Sequence, residues 1–226
     1  MLNIIVPMAG AGSRFESAGY SFPKPLIEVQ GQPMIAKVVE NLNIVGKFIF
    51  LVQKSHYEKY KLNSLLNIIA PGCEIVQIDS LTEGAACTVL EAKKYINNNE
   101  PLLISNSDQW IKWNSLETIG EFNEPGCDGG ILTFNSIHPK HSFAKVDSAN
   151  WVTEVAEKNP ISNHATVGIY YWKQGADFVY FAEQMIKKNI RTNNEFYVCP
   201  VYNEAIKDGK KIKIYNVEEM WGMGTP

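Results

Sequence analysis

Arg14 and Lys24 are the side chains whose surroundings first point to chemistry. Arg14 closes the run Gly10-Ala11-Gly12-Ser13-Arg14, and Lys24 sits inside Pro23-Lys24-Pro25, with Pro23 nine residues beyond Arg14. Two glycines let a chain turn sharply and bring backbone N–H groups against phosphate oxygens. Two prolines narrow the backbone around Lys24 and so aim a flexible ammonium at one point. The pair reads as two cations serving one triphosphate. A glycine loop alone is as often structural as functional, and other glycine-loop chemistries fit this one less well. A dinucleotide fingerprint wants a small residue where Phe15 stands, and a Walker loop wants Gly-Lys-Ser/Thr.

The elements that must hold these residues alternate. Asn3 to Val6 is a β-branched run that meets the glycine loop, as a buried strand would. Apolar spacing predicts helices at Met34–Leu42, Tyr57–Ile69 and Gly84–Ile96. Between and after them lie strands at Phe48–Val52, Glu74–Ile78 and Pro101–Ser105, the last ending in Asn106-Ser107-Asp108. This order implies an α/β fold: a Rossmann-like, mixed but mostly parallel sheet with helices on both faces. After Pro125-Gly126 come closer strands at Gly130–Phe134, Phe143–Val146, Trp151–Ala156 and Ala165–Trp172, with a polar hairpin turn at residues 147–150. Helices at Ala176–Lys187 and Phe196–Lys207 and a strand at Lys211–Val217 follow. No repeat or linker divides the chain. One continuous domain is expected over residues 1–226, with a nucleotide-binding half to about 124, an acceptor-binding half from about 125, and a ligand at the carboxyl ends of the parallel strands.

Composition narrows the partners. With 226 residues, 45% apolar and 20% charged, the chain is long enough for a packed core. Lys+Arg 21 against Asp+Glu 24 leaves a net charge of -3, which argues against nucleic acid but permits one phosphorylated small molecule. The N-terminal apolar run, Leu2 to Met8, is far short of a membrane span and lacks a basic start, so a cytoplasmic protein away from membranes is expected. Cys73, Cys87, Cys127 and Cys199 form no CxxC pair and are expected as reduced thiols.

G-x-G-x-R followed by P-K-P resembles the signature of the sugar-phosphate nucleotidyltransferases, and the resemblance runs the length of the chain. Thr82-Glu83-Gly84-Ala85-Ala86 is similar to the family's base-pocket segment, and Asp108 to its aspartate after a central strand. Glu157-Lys158 before Val167-Gly168-Ile169-Tyr170 matches its acceptor motif, and Trp221-Gly222-Met223-Gly224-Thr225-Pro226 its closing W-x-D-x-G-T-P. The resemblance implies a GT-A-like fold and transfer of a nucleotidyl group from an NTP to a small phosphorylated acceptor, with release of pyrophosphate. It implies that Ala9, Gly10, Ala11, Gly12 and Ser13 cradle the triphosphate, that Arg14 holds the β and γ phosphates, and that Lys24 lies along the α phosphate. Thr82, Glu83, Gly84 and Ala85 would flank the base, and Asp108 would bind Mg²⁺. Glu157, Lys158, Gly168, Asn194 and Glu195 would face the acceptor. Anionic reactants need cations and a metal to approach each other, so the set is chemically coherent.

Gly222 stands where relatives place a second metal-binding aspartate, and the resemblance implies further chain beyond Pro226. Glu218 or Glu219 could substitute for the missing carboxylate, or Asp108 could hold the metal with phosphates and water. The proline-braced motif is also similar to a branch used in bacterial capsule biosynthesis, which implies CTP as nucleotide and phosphoglutamine as acceptor, with a sugar 1-phosphate as the alternative. An NAD-dependent oxidoreductase and a nucleotide-binding module without turnover are the remote alternatives. His138 and His141 read as loop residues near the acceptor cleft, Trp110 and Trp113 as pocket lining or core, and Lys207 to Lys213 as a solvated face. A homo-oligomer is left open.

Overall fold

A computed structural model describes residues 1–226. The first half runs β1 (Asn3–Pro7), α1 (Ser13–Ser17), β2 (Glu28–Val29), β3 (Gln32–Pro33), α2 (Met34–Leu42), β4 (Lys47–Gln53), α3 (Lys54–Lys59), α4 (Leu62–Ile69) and β5 (Glu74–Ile78). It continues with α5 (Ala85–Leu90), α6 (Lys93–Ile96), β6 (Leu102–Ser105), β7 (Gln109–Lys112) and α7 (Ser115–Phe122). The second half adds β8 (Gly129–Asn135), β9 (Ser142–Val146), β10 (Val152–Glu157), β11 (His164–Trp172), α8 (Gly175–Lys187), α9 (Val201–Lys207), β12 (Ile212–Asn216) and β13 (Glu219–Gly222).

The sheet is apolar on both faces because its central strands carry no polar alternation. Ile4 and Val6 of β1, Phe50 and Val52 of β4 and Leu103 of β6 face one way, toward Ile35, Val38 and Leu42 of α2 and Leu62 and Leu66 of α4. Ile5, Ile49, Leu51, Leu102 and Ile104 face the other way, toward Ala86 and Val89 of α5, Phe178 and Ala182 of α8 and Ala205 of α9. Burying such a side chain stabilises the fold by roughly 1.5–3 kcal/mol, so these two layers set the stability of the domain.

Nine strands form one mixed sheet that passes through both halves of the chain. Strands β5, β4, β1 and β6 are parallel neighbours, β11 runs antiparallel between β6 and β8, and β12 runs parallel to β8. The fold is therefore a mixed α/β fold with a mostly parallel central sheet, as the alternation predicts. One irregularity shapes the molecule. Residues Ile169–Trp172 of β11 pair with β6, whereas Ala165 pairs with Phe143 of β9, and the register with β8 shifts between Thr166 and Tyr170. Gly168 lies in that interval with φ +85°. The sheet divides there, and β9 with β10 splays away from the end of β6.

Several elements depart from the sequence expectation. The helix expected over Tyr57–Ile69 breaks into α3 and α4 at Tyr60–Lys61, where Lys61 takes a left-handed φ of 53°. The helix expected over Gly84–Ile96 is two, α5 and α6. That expected over Phe196–Lys207 begins only at Val201, because the Phe196 backbone is spent elsewhere: its N–H donates to the Glu83 carbonyl and its carbonyl accepts from Ala86, both at 2.9 Å. The ribbon of β7 with β13 pairs Gln109–Lys112 with Glu219–Gly222 and brings the last strand beside Asp108.

Gly84 is fixed in type by the backbone it lies against. Its φ is +133°, and a Cβ would stand 2.5 Å from the Phe196 backbone nitrogen and oxygen. Neither atom can swing away as a side chain can. Gly84→Ala is expected to destabilise the protein by about 2–3 kcal/mol. At this chain length that lowers the melting temperature by about 5–10 °C, which calorimetry or a thermal melt followed by circular dichroism checks.

Candidate active site

The carboxyl ends of the adjacent parallel strands β1 and β6 deliver two loops side by side. Residues 7–14 leave β1, turning at Gly12 with φ +66°, and Asn106-Ser107-Asp108 leaves β6. Gln53, at the end of β4, donates from Nε2 to the carbonyls of Ala9 (3.0 Å) and Gly10 (3.1 Å) and so fixes the loop from its far side. Pro23 is extended at φ −61° and ψ 148°, and Lys24–Leu26 forms a single 3-10 turn. A Cβ on Gly12 would stand 3.7 Å from Lys24, so the glycine loop and the proline-braced turn lie against each other. With Thr82, Gly84 and Ala85 they line a cleft of 470 Å³. Thr82 and Thr88 share a hydroxyl–hydroxyl bond of 2.6 Å, and the hydroxyl that accepts in it donates to the Gly84 carbonyl, which lies 3.1 Å from Thr82 and 3.2 Å from Thr88 and shapes the turn before α5.

A second cleft of 600 Å³ opens where the sheet divides. Gly168 exists there for lack of room: a Cβ would stand 2.2 Å from Asn106 Nδ2, and the Gly168 carbonyl accepts from the Asn106 N–H at 2.8 Å. Lys158 lines the opposite wall in a left-handed conformation, φ 55°, with its N–H donating to the His141 carbonyl at 2.9 Å. Its Nζ donates to the Tyr197 hydroxyl at 2.5 Å and lies 4.6 Å from the ring centroid. Glu157 accepts a hydrogen bond from Ser142 Oγ. Burial pushes its carboxyl above the ordinary range, against that hydrogen bond and the Lys158 charge. Tyr170 and Cys199 form the floor, both raised by burial, so thiol and phenol are neutral at working pH. His138 and His141 line this cleft, the side on which the sequence sets them.

Arg14, Ala85, Asn106, Asp108 and Tyr197 line both clefts. Asp108 is the carboxylate at this seam, and Lys24 Nζ meets its Oδ2 at 2.9 Å. The closing segment leaves space for it, since a Cβ on Gly224 would stand 2.5 Å from the same oxygen. Met223 N–H donates to the Asp108 carbonyl at 2.7 Å. No group of three or more His, Cys, Asp or Glu side chains gathers here or elsewhere. One carboxylate in a cradle that a side chain would fill suits a hard ion that keeps most of its ligands as water and phosphate oxygen. Gly222 adds no carboxylate, and Glu218 and Glu219 do not take its place here: neither lines either cleft, and both face Lys112 on the surface.

Other expected site residues lie elsewhere. Ser13 is exposed at the start of α1 and lines neither cleft. Glu83 turns outward to the Arg191 guanidinium. Asn194 is exposed in a left-handed turn, φ 65°, outside both clefts. Glu195 lines the first cleft, beside the glycine loop, and not the second. Trp113 donates from Nε1 to the Asn41 carbonyl at 3.1 Å, and Trp110 faces Trp221 across the ribbon, so neither lines the second cleft. Tyr197 and Asn106 are the residues the sequence reading passed over. The signal for Tyr197 was the pair Phe196-Tyr197, one ring without and one with a hydroxyl, next to the acidic Glu195.

Phe15 is 3% exposed and packs with Ile27 and Met34, so the position that a dinucleotide loop keeps small is filled by core. What the fold and the clefts define is an α/β protein with two adjoining openings at the carboxyl ends of its parallel strands. The chain belongs to the nucleotidyl transferase family, whose model matches residues 3–221. It is 23% identical over 238 residues to the bifunctional protein GlmU of Methanocaldococcus jannaschii, covering 100% of this chain and 52% of that protein. The low-salt glycan biosynthesis nucleotidyltransferase Agl11 of Haloferax volcanii is 24% identical, over 94% of this chain and 59% of its own. The chain thus spans about half the length of the curated relatives it matches. Among solved structures, the nucleoside-diphosphate-sugar pyrophosphorylase of Vibrio cholerae RC9 superposes with a TM-score of 0.83 at 25% identity, covering 99% of this chain and 96% of that one. No helix is long and apolar enough to cross a membrane.

The second cleft also gives the protein an acid-sensitive component. Burial, with Lys140 and His138 alongside, pulls His141 from 6.5 down to about 4. Because the folded value lies below the unfolded one, the unfolded chain takes up the proton first as pH falls. Stability present above pH 6.5 is therefore lost progressively down to about 4. In His141→Gln the stability curve is expected to be flatter across that window than in the parent protein, as urea unfolding at stepped pH would measure.

Proposed function

We propose that this protein transfers a nucleotidyl group from an NTP to a sugar 1-phosphate and releases pyrophosphate. The observation that carries this reading is the meeting of two clefts at Asp108, with Lys24 on one side and Lys158 on the other. An acceptor phosphate oxygen attacks the α phosphorus, the bond from that phosphorus to the bridging oxygen breaks, and pyrophosphate leaves with the electron pair. The attacking oxygen is already anionic near neutral pH, so positioning and charge stabilisation are required more than a general base.

In this reading the backbone of Ala9, Gly10, Ala11 and Gly12 holds the triphosphate, and Arg14, exposed at the seam, offsets the charge that grows on the departing pyrophosphate. Lys24 moves from Asp108 to the α phosphate as the nucleotide enters. Thr82, Gly84 and Ala85 form the base side. Lys158 holds the acceptor phosphate, and Glu157 accepts from acceptor hydroxyls. Asp108 is the residue that would hold Mg²⁺, which when bound supplies positive charge to the phosphate oxygens. Of the residues carried over from the family pattern, Ser13, Glu83, Asn194 and Glu195 have no part in this scheme, and Gly168 enters only by making room for the second cleft.

A sugar 1-phosphate is preferred to phosphoglutamine because two of the three relatives above, the glycan biosynthesis nucleotidyltransferase and the nucleoside-diphosphate-sugar pyrophosphorylase, carry names from glycan and sugar-nucleotide chemistry. None of those names includes cytidine, an amino-acid phosphate or a capsule, so CTP and phosphoglutamine enter as arms of the test. The experiment is a panel of NTPs against hexose 1-phosphates, phosphocholine and phosphoglutamine with Mg²⁺, read by pyrophosphate release. At least one NTP is expected to turn over with a sugar 1-phosphate, and Lys24→Met is expected to lower kcat about 10²–10³-fold. Tight nucleotide binding with no pyrophosphate from any pairing would reject the enzyme and leave a binding module.

A further inference from the structure

We propose that Tyr197 is a positioning residue: its hydroxyl holds the Lys158 ammonium at the wall between the two clefts, pre-aimed at the phosphate of the acceptor. The inference rests on the reading above and adds a residue to it. An ammonium has three donors, and the 2.5 Å bond to Tyr197 uses one, leaving two for an anion in the cleft. The ring contributes as well, since Nζ lies 4.6 Å from its centroid.

Both partners are held by their backbones. Lys158 adopts a left-handed φ of 55°, a conformation L-residues rarely take, and its N–H is tied to His141. Tyr197 follows Phe196, which is bonded to Glu83 and Ala86 on either side of Gly84. The turn that flanks the nucleotide therefore sets where the phenol stands, and the phenol sets where the acceptor's lysine stands. Burial together with the neighbouring Glu195 raises the phenol above its ordinary range, so it stays neutral and keeps a lone pair for the ammonium. Without the hydroxyl, the four-carbon stem of Lys158 is free to sweep a cleft of 600 Å³ and must be ordered when the acceptor binds.

Tyr197→Phe keeps the ring and removes only the hydroxyl. Kinetics are measured with whichever NTP and acceptor the parent protein turns over. The variant is expected to raise KM for the acceptor about tenfold, with kcat and KM for the nucleotide within about threefold of the parent. In the Lys158→Ala background the same change is expected to add nothing, because the hydroxyl then has no ammonium to hold. A crystal structure of Tyr197→Phe, which needs no turnover, is expected to show Lys158 spread over several rotamers. An unchanged acceptor KM, an equal rise in both KM values, an additive double variant, or a Lys158 that keeps its place in the crystal would each overturn the inference. A parent protein that releases no pyrophosphate overturns the functional reading instead, and the crystal structure then still decides whether Tyr197 holds Lys158.

Discussion

A side chain at position 168 would stand 2.2 Å from Asn106 Nδ2, and it is at this contact that β11 stops pairing with β6 and turns toward β9. Much of the molecule's working geometry depends on that approach. A continuous ladder would have buried the carboxyl end of β6 against a neighbour. The interruption leaves Asn106 and Asp108 lining both clefts and opens the second cavity beside the first. Positive φ at Gly168 lets the chain make the change of partner within a few residues.

The electrostatics follow from the same topology. Adjacent parallel strands send their following loops out on one side, so the turn after β1 and the turn after β6 are neighbours however far apart they are in sequence. Lys24 is added by a turn rather than a regular element, and prolines on both sides limit where it reaches. It rests on Asp108 at 2.9 Å, both groups partly exposed, so solvent weakens the pair enough for other ions to replace either partner. A fully buried pair would have been far harder to separate.

The central layers of this fold were legible because Ile4, Ile5, Phe50, Leu51, Leu103 and Ile104 are apolar without alternation, which a doubly covered strand requires. Gly10, Gly12, Arg14, Lys24, Asp108 and Lys158 were legible by their chemical type, and the structure gathers them around two adjoining clefts, whereas Ser13 of the same loop lies outside both. Breaks within helices were not legible. Lys61 and Lys158 take left-handed conformations that nothing in the local sequence demands, and the helix expected from Phe196 is forestalled by hydrogen bonds to residues more than a hundred positions earlier. Glu83 was misplaced for a related reason, since its carboxylate answers to Arg191, a partner that only the folded chain brings near. The ribbon of β7 with β13 was not legible because each of its strands is only four residues long, β7 is half exposed and β13 buries no residue.

The bonds from Phe196 to Glu83 and Ala86 join segments far apart along the polypeptide, as do the pairing of Glu219–Gly222 with Gln109–Lys112 and the hydrogen bond from Met223 to Asp108. Such contacts carry a large loop-closure entropy and form after the local ones. The rim of the cleft lined by Thr82, Gly84 and Ala85 is thus held by a few distant bonds rather than by the two apolar layers. Opening of one of those bonds would dissolve the rim and leave the layers packed, so occupancy of the cleft would register a local loosening that a global melt does not.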